Sequence, residues 1–161
     1  MKKNIIIIVI ICLILLVAVI AATPLGTILY LGSRIKGQIS VTVNGENIDL
    51  SKCSFIFSDE GEAKANGNSA NISMKGGEYG TYSFSFTSEE LDFPVTIKIY
   101  QWNWHQITDF SCNIAFEREN GRFNGYYEGT LSFTQENIKK QAHDFSGNLD
   151  DFTNGAEISI G

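Results

Sequence analysis

Residues Ile5 to Ala22, IIIIVIICLILLVAVIAA, are eighteen consecutive apolar positions. At about 1.5 Å of rise per residue, such a run reaches roughly 27 Å as a helix, close to the hydrocarbon thickness of a bilayer. Apolar character persists through Leu25-Gly26-Thr27-Ile28-Leu29-Tyr30-Leu31 before the first charge, Arg34. That is longer than the core of about 7 to 15 residues in a cleavable leader, so the segment is read as a retained signal anchor. A lipid-modified leader does not fit, because Ile11 stands before Cys12 where a small residue is needed. The expected layout is a short cytoplasmic stretch (1–4), a transmembrane anchor (5–31), a tether (32–37) and one extracytoplasmic domain (38–161). Lys2, Lys3 and the terminal amine face Arg34 and Lys36 across the run, a thin margin that places the amino end inside.

From Gly37 onward there are 125 residues, enough for one domain with a sizeable core. Removing Lys2, Lys3, Arg34 and Lys36 from the twelve basic residues leaves eight, against eighteen acidic ones, a net charge near minus ten. Such a domain repels phosphate backbones, so nucleic acid is excluded as an expected partner. Period-two alternation dominates it. Ile39, Val41 and Val43 share one face, as do Cys53, Phe55 and Phe57, then Tyr82, Phe84 and Phe86, then Val95, Ile97 and Ile99. Phe110, Cys112, Ile114 and Phe116 follow, then Tyr127, Leu131 and Phe133, and finally Ile158 and Ile160. Asn44-Gly45, Gly76-Gly77 and Asn120-Gly121 punctuate these runs as turns. Strands with one apolar face need a second sheet to cover it, which predicts an all-β, antiparallel two-sheet β-sandwich, with a small β-barrel as the alternative. Only Asn137 to His143 allows one or two helical turns.

Cys53 and Cys112 are in phase with the apolar side chains of their strands and lie 59 positions apart. In an oxidising compartment two core-facing cysteines on facing sheets are expected to pair, which would stabilise the fold by about 4 kcal/mol. That pairing supports the outward placement of the domain. It also resembles the inter-sheet bridge of immunoglobulin-like domains, with Asp109-Phe110-Ser111-Cys112 similar to their second cysteine strand. Phe110 stands where that family has a tyrosine, and Trp102 and Trp104 precede the second cysteine instead of following the first. Gly80-Thr81-Tyr82-Ser83-Phe84 resembles the G-x-Y-x-F strand of carboxypeptidase-regulatory-like and transthyretin-like sandwiches. Both resemblances imply a sandwich and neither implies an activity.

Tyr100, Trp102 and Trp104 have the parity opposite to Val95, Ile97 and Ile99, which puts them on the outer face of a strand. Aromatic side chains so placed stack on sugar rings or anchor a protein partner, and they are the candidate ligand-binding residues. Carboxylates near the rings would favour a sugar. His105 and His143 are too few and too far apart for a metal motif and are read as loop residues. Asp144-Phe145-Ser146-Gly147-Asn148-Leu149-Asp150 places oxygen side chains at alternate positions, an acidic loop over 144–157 whose calcium binding the sequence leaves open. An EF-hand fails there, because Leu149 and Gly155 occupy the positions of its glycine and glutamate. No G-x-S-x-G elbow occurs. The expectation is a non-enzymatic, membrane-anchored surface protein without metal or cofactor, whose sandwich binds an envelope protein or, alternatively, a glycan or cell-wall polymer.

Overall fold

The computed structural model describes residues 34–76, 79–102, 105–135, 139–149 and 155–161. The apolar run 5–22 lies outside them. Among the described residues no helix is long and apolar enough to cross a membrane.

The described chain is all-β. Its strands are β1 (Arg34–Val43), β2 (Glu46–Asn47), β3 (Ser54–Phe57), β4 (Gly61–Asn66), β5 (Ser69–Lys75), β6 (Gly80–Thr87), β7 (Val95–Gln101), β8 (His105–Glu119), β9 (Arg122–Gln135), β10 (Lys139–Leu149) and β11 (Ala156–Ile160). One sheet runs β10-β9-β8-β1-β5-β4, with β2 added to β1, and the other runs β11-β7-β6-β3. Two sheets with separate ladders and a shared core are the arrangement of a β-sandwich, and neither ladder closes into the alternative barrel. Both sheets are mixed rather than antiparallel, which corrects the sequence expectation. β1 runs parallel to β8, and β11 runs parallel to β7. Alternation specifies which face is buried and carries no information on strand direction.

Phe84, Phe86, Val95, Ile97, Ile99, Ile158 and Ile160 point from the smaller sheet into the core. Ile35, Ile39, Val41, Ile72, Met74, Phe110, Cys112, Ile114 and Phe116 meet them from the larger one. The Phe84 and Phe110 rings, 6.2 Å apart between centroids, pack across this layer. Full burial of each such side chain contributes about 1.5–3 kcal/mol. Phe93, between β6 and β7, closes one end of the core with Phe116 at 5.4 Å and Phe123 at 5.0 Å. Both Asn-Gly turns form as expected, with Asn44 and Asn120 at φ of 52° and 50° and Gly45 and Gly121 at 80° and 78°. Positive φ at both positions makes the turn whose twist matches that of the flanking strands. Gly76 follows β5, whereas Gly77 is outside the described residues.

Several expectations need correction. β1 begins at Arg34, so most of the stretch read as a tether (32–37) is strand. β4 and β5 escaped the alternation reading because small residues, Ala63, Ala65 and Ala70, occupy several of their core-facing positions. Lys139 to His143 is extended rather than helical, being part of β10. The supposed acidic loop is strand up to Leu149, paired throughout with β9, and residues 150–154 lie outside the described set. Asp144, Ser146 and Asn148 are spaced two apart because they form the exposed face of that strand.

Candidate functional site

β7 alternates without interruption: Val95, Ile97, Ile99 and Gln101 are buried, while Thr96, Lys98 and Tyr100 are half-buried on the opposite face. Trp102 follows directly and is 67% exposed. The outer-face placement of Tyr100 therefore agrees with its parity. Trp104 lies outside the described residues.

Tyr100 and Trp102 do not stand on a flat platform. They form one wall of a cleft of about 280 Å3, together with Ser159 and Gly161 at the end of β11. Gly161 lies against the Tyr100 carbonyl, where a β-carbon would come within 2.5 Å of that oxygen. The opposite wall belongs to the larger sheet: Ile107, Leu131, Phe133, His143 and Phe145. A second hollow, of about 370 Å3, lies between Tyr79, Gly80 and Thr81 on one side and Tyr100, Gln101 and Trp102 on the other. Tyr79 is 71% exposed, so two large aromatics flank this end of the smaller sheet.

Local irregularities build the opposite wall. An extra residue at Thr108 breaks the β8–β9 register, so Ile107 pairs with Phe133 while Asp109 pairs with Ser132. The bulge lets Ile107 and Phe110, three positions apart, both face inward. On β10, His143 stacks flat on Phe133, with ring centroids 5.3 Å apart and planes within 7°. Phe145 covers Gly129 and tilts against Tyr127 at 6.3 Å. Sequence reasoning missed Tyr79, Phe133, His143 and Phe145 as site residues. It placed His143 in a loop, whereas the structure sets it within β10; His105 likewise opens β8.

The cleft is chemically simple. Its polar side-chain groups are the Tyr100 hydroxyl, the Trp102 indole N–H, the His143 imidazole and the Ser159 hydroxyl, and among the described residues no Asp or Glu side chain lines it. Beside it, Lys98 bonds Glu157 at 2.7 Å across the β7–β11 pair, and this hydrogen bond raises the lysine pKa. Among the described residues no three His, Cys, Asp or Glu side chains converge to hold a metal ion. Such a surface takes up apolar or aromatic groups of a ligand, with a few polar atoms to orient them.

The expected Cys53–Cys112 bridge is not formed; both are free thiols. Cys53 follows the 3-10 turn Leu50–Lys52, which packs on β4 and β5, and its thiol lies 3.9 Å from the Asp49 carbonyl. Cys112 sits on β8, and β1 intervenes before β5 is reached. Two strand spacings of about 4.8 Å give a lateral offset that by itself exceeds the Cα separation of about 4.4–6.8 Å that a disulfide spans. Burial pushes the Cys112 thiol pKa up to about 12 and raises that of the half-buried Cys53. The cysteines therefore give no support to the outward orientation, which rests on the charge flanks alone. No protein-family model matches this chain, and no curated protein or solved structure is significantly similar to it.

Proposed function

We propose that this chain is a single-pass membrane protein, anchored by a helix over residues 5–31, whose extracytoplasmic β-sandwich is a non-catalytic protein-binding module. The aromatic cleft carries the proposal. Trp102 leaves two thirds of its surface in water beside a trough walled by Ile107, Leu131, Phe133 and Phe145. Exposed tryptophan beside an apolar recess is the composition of an interface anchor point. The lining is mostly apolar, and among the described residues no Asp or Glu side chain lines the cleft to accept sugar hydroxyls, so a protein partner is favoured over a glycan here. The acidic character of the domain suits a partner with a basic rim around an apolar anchor.

A photo-reactive amino acid at Ser159, on the rim of the cleft, tests this in intact cells. A discrete cross-linked species that disappears with Trp102→Ala is expected. No adduct, or one indifferent to Trp102→Ala, sinks the reading. Topology is tested separately with Ile56→Cys, since Ile56 is 70% exposed. A membrane-impermeant maleimide should label that variant without permeabilisation; labelling only after lysis reverses the orientation.

A further inference from the structure

The outer face of the larger sheet carries a second feature, which shares only Phe145 with the lining of the cleft. Across β8, β9 and β10 the outward positions, exposed except for the half-buried Ser111 and Thr130, form a grid: Ala115, Tyr126 and Asn148 in one row, Asn113, Glu128 and Ser146 in the next, Ser111, Thr130 and Asp144 in the third. Most of these side chains line a shallow depression of about 400 Å3. Rows two residues apart are about 7 Å from each other and strands about 4.8 Å, so the grid has the footprint of one or two pyranose rings.

Its chemistry is specific. Tyr126 is the large aromatic of the grid, 42% exposed, and it stands next to the small side chain of Ala115. Its hydroxyl donates to Glu128 Oε2 at 3.2 Å, which orients the carboxylate beside the ring. Thr130 Oγ1 donates to Asp144 Oδ1 at 3.1 Å, and Ser40 Oγ donates to Asn113 Oδ1 at 2.7 Å. Those contacts engage one oxygen of each planar group, and the second carboxylate oxygens of Glu128 and Asp144 and the amide N–H2 of Asn113 add acceptors and donors to a set of residues that lines the depression. An aromatic face with fixed planar polar groups on one side matches a sugar, which offers a patch of C–H and a ring of hydroxyls. Lysine and arginine are absent from this grid, which disfavours phosphate and anionic sugars.

We propose that this face binds a neutral saccharide, with Tyr126 stacking on the ring and Glu128, Asp144 and Asn113 holding its hydroxyls. The site does not include Tyr100 or Trp102, and it places the ring-plus-carboxylate combination on the outward face of β9, the strand whose inward face the alternation reading took from Tyr127, Leu131 and Phe133.

The experiment is a calorimetric titration of the full chain in detergent micelles with cello-, malto- and chito-oligosaccharides. At least one series should bind. Tyr126→Ala and Asp144→Asn should each weaken it about tenfold or more, while Tyr126→Phe, which keeps the ring, should change it by about threefold or less. All four side chains lie on an exposed face, so the variants should melt like the parent, and thermal denaturation checks this. Absence of binding by all three series overturns the proposal. So does binding that survives Tyr126→Ala and Asp144→Asn, or binding that is lost in Trp102→Ala yet kept in Tyr126→Ala.

Discussion

The side-chain carbonyl of Gln101 accepts the backbone N–H of Ile107 at 3.3 Å, joining the last residue of β7 in one sheet to the first turn of the bulged strand β8 in the other. Gln101 is the buried polar side chain among the described residues, 4% exposed, and it sits between Tyr100 and Trp102. This bond fixes both walls of the cleft at their common end. Gln101→Leu removes the acceptor and leaves a buried N–H unsatisfied, which should cost about 1–3 kcal/mol of stability. Urea denaturation measures it; a variant as stable as the parent would show that Ile107 finds another acceptor.

Gly129 marks a close backbone approach. A β-carbon there would lie 1.9 Å from the Ser111 carbonyl oxygen and 2.6 Å from the Phe145 ring. At Gly37 the obstacle is the Phe110 ring, 2.0 Å away, which is a side chain with some freedom to turn. Gly129→Ala should therefore destabilise by about 3 kcal/mol, at the upper end of ordinary overpacking, and Gly37→Ala by less. Comparing denaturation midpoints of the two variants tests the order.

Asp109 on β8 bonds Lys140 on β10 at 2.9 Å, bridging over β9. That hydrogen bond is the main cause of a lowered Asp109 pKa, with Thr108 and the charges of Lys140 and Lys36 adding to it and burial opposing. A depressed carboxylate pKa gives stability that is present above the unfolded value and lost as pH falls through the folded one. Both partners are well exposed, so solvent screening limits the contribution to under about 1 kcal/mol. Asp109→Asn should lower stability slightly at neutral pH and flatten its decline below about pH 4. An unchanged acid limb in denaturation curves would contradict this.

The thiols make a redox prediction. With Cys53 and Cys112 unpaired, the melting temperature should be the same with and without reductant, and Cys53→Ser should not lower it as loss of a bridge would. Cys112, buried and raised to about 12, should react with a thiol reagent only after unfolding. A melting temperature that falls several degrees in reductant would reinstate the bridge.

Much of the fold was legible in the order of residues, because strand burial is a local, period-two property. Phe84 and Phe86, Val95 to Ile99, and Phe110 to Phe116 are buried as their alternation requires, and both Asn-Gly turns close the hairpins expected of them. Tyr100 faces outward for the same reason. Where inward positions hold alanine or glycine, as in β4, β5 and β10, the signal faded. There the regular spacing of Asp144, Ser146 and Asn148 resembled a cation loop, although it was the wet face of a strand.

By itself the sequence determined the apolar run, the acidic balance, the strand periodicity and the two hairpin turns, all of which are short-range or compositional. Only the tertiary structure decided the parallel pairings of β1 with β8 and of β7 with β11, which join segments distant in the chain. It also decided the separation of Cys53 from Cys112 and the joining of Tyr100 and Trp102 with Phe133, His143 and Phe145. Each depends on strand order, and the wall contributed by Ile107 depends also on the bulge at Thr108. Alternation says that a side chain faces inward, but only the packing of one sheet on the other says what it meets there.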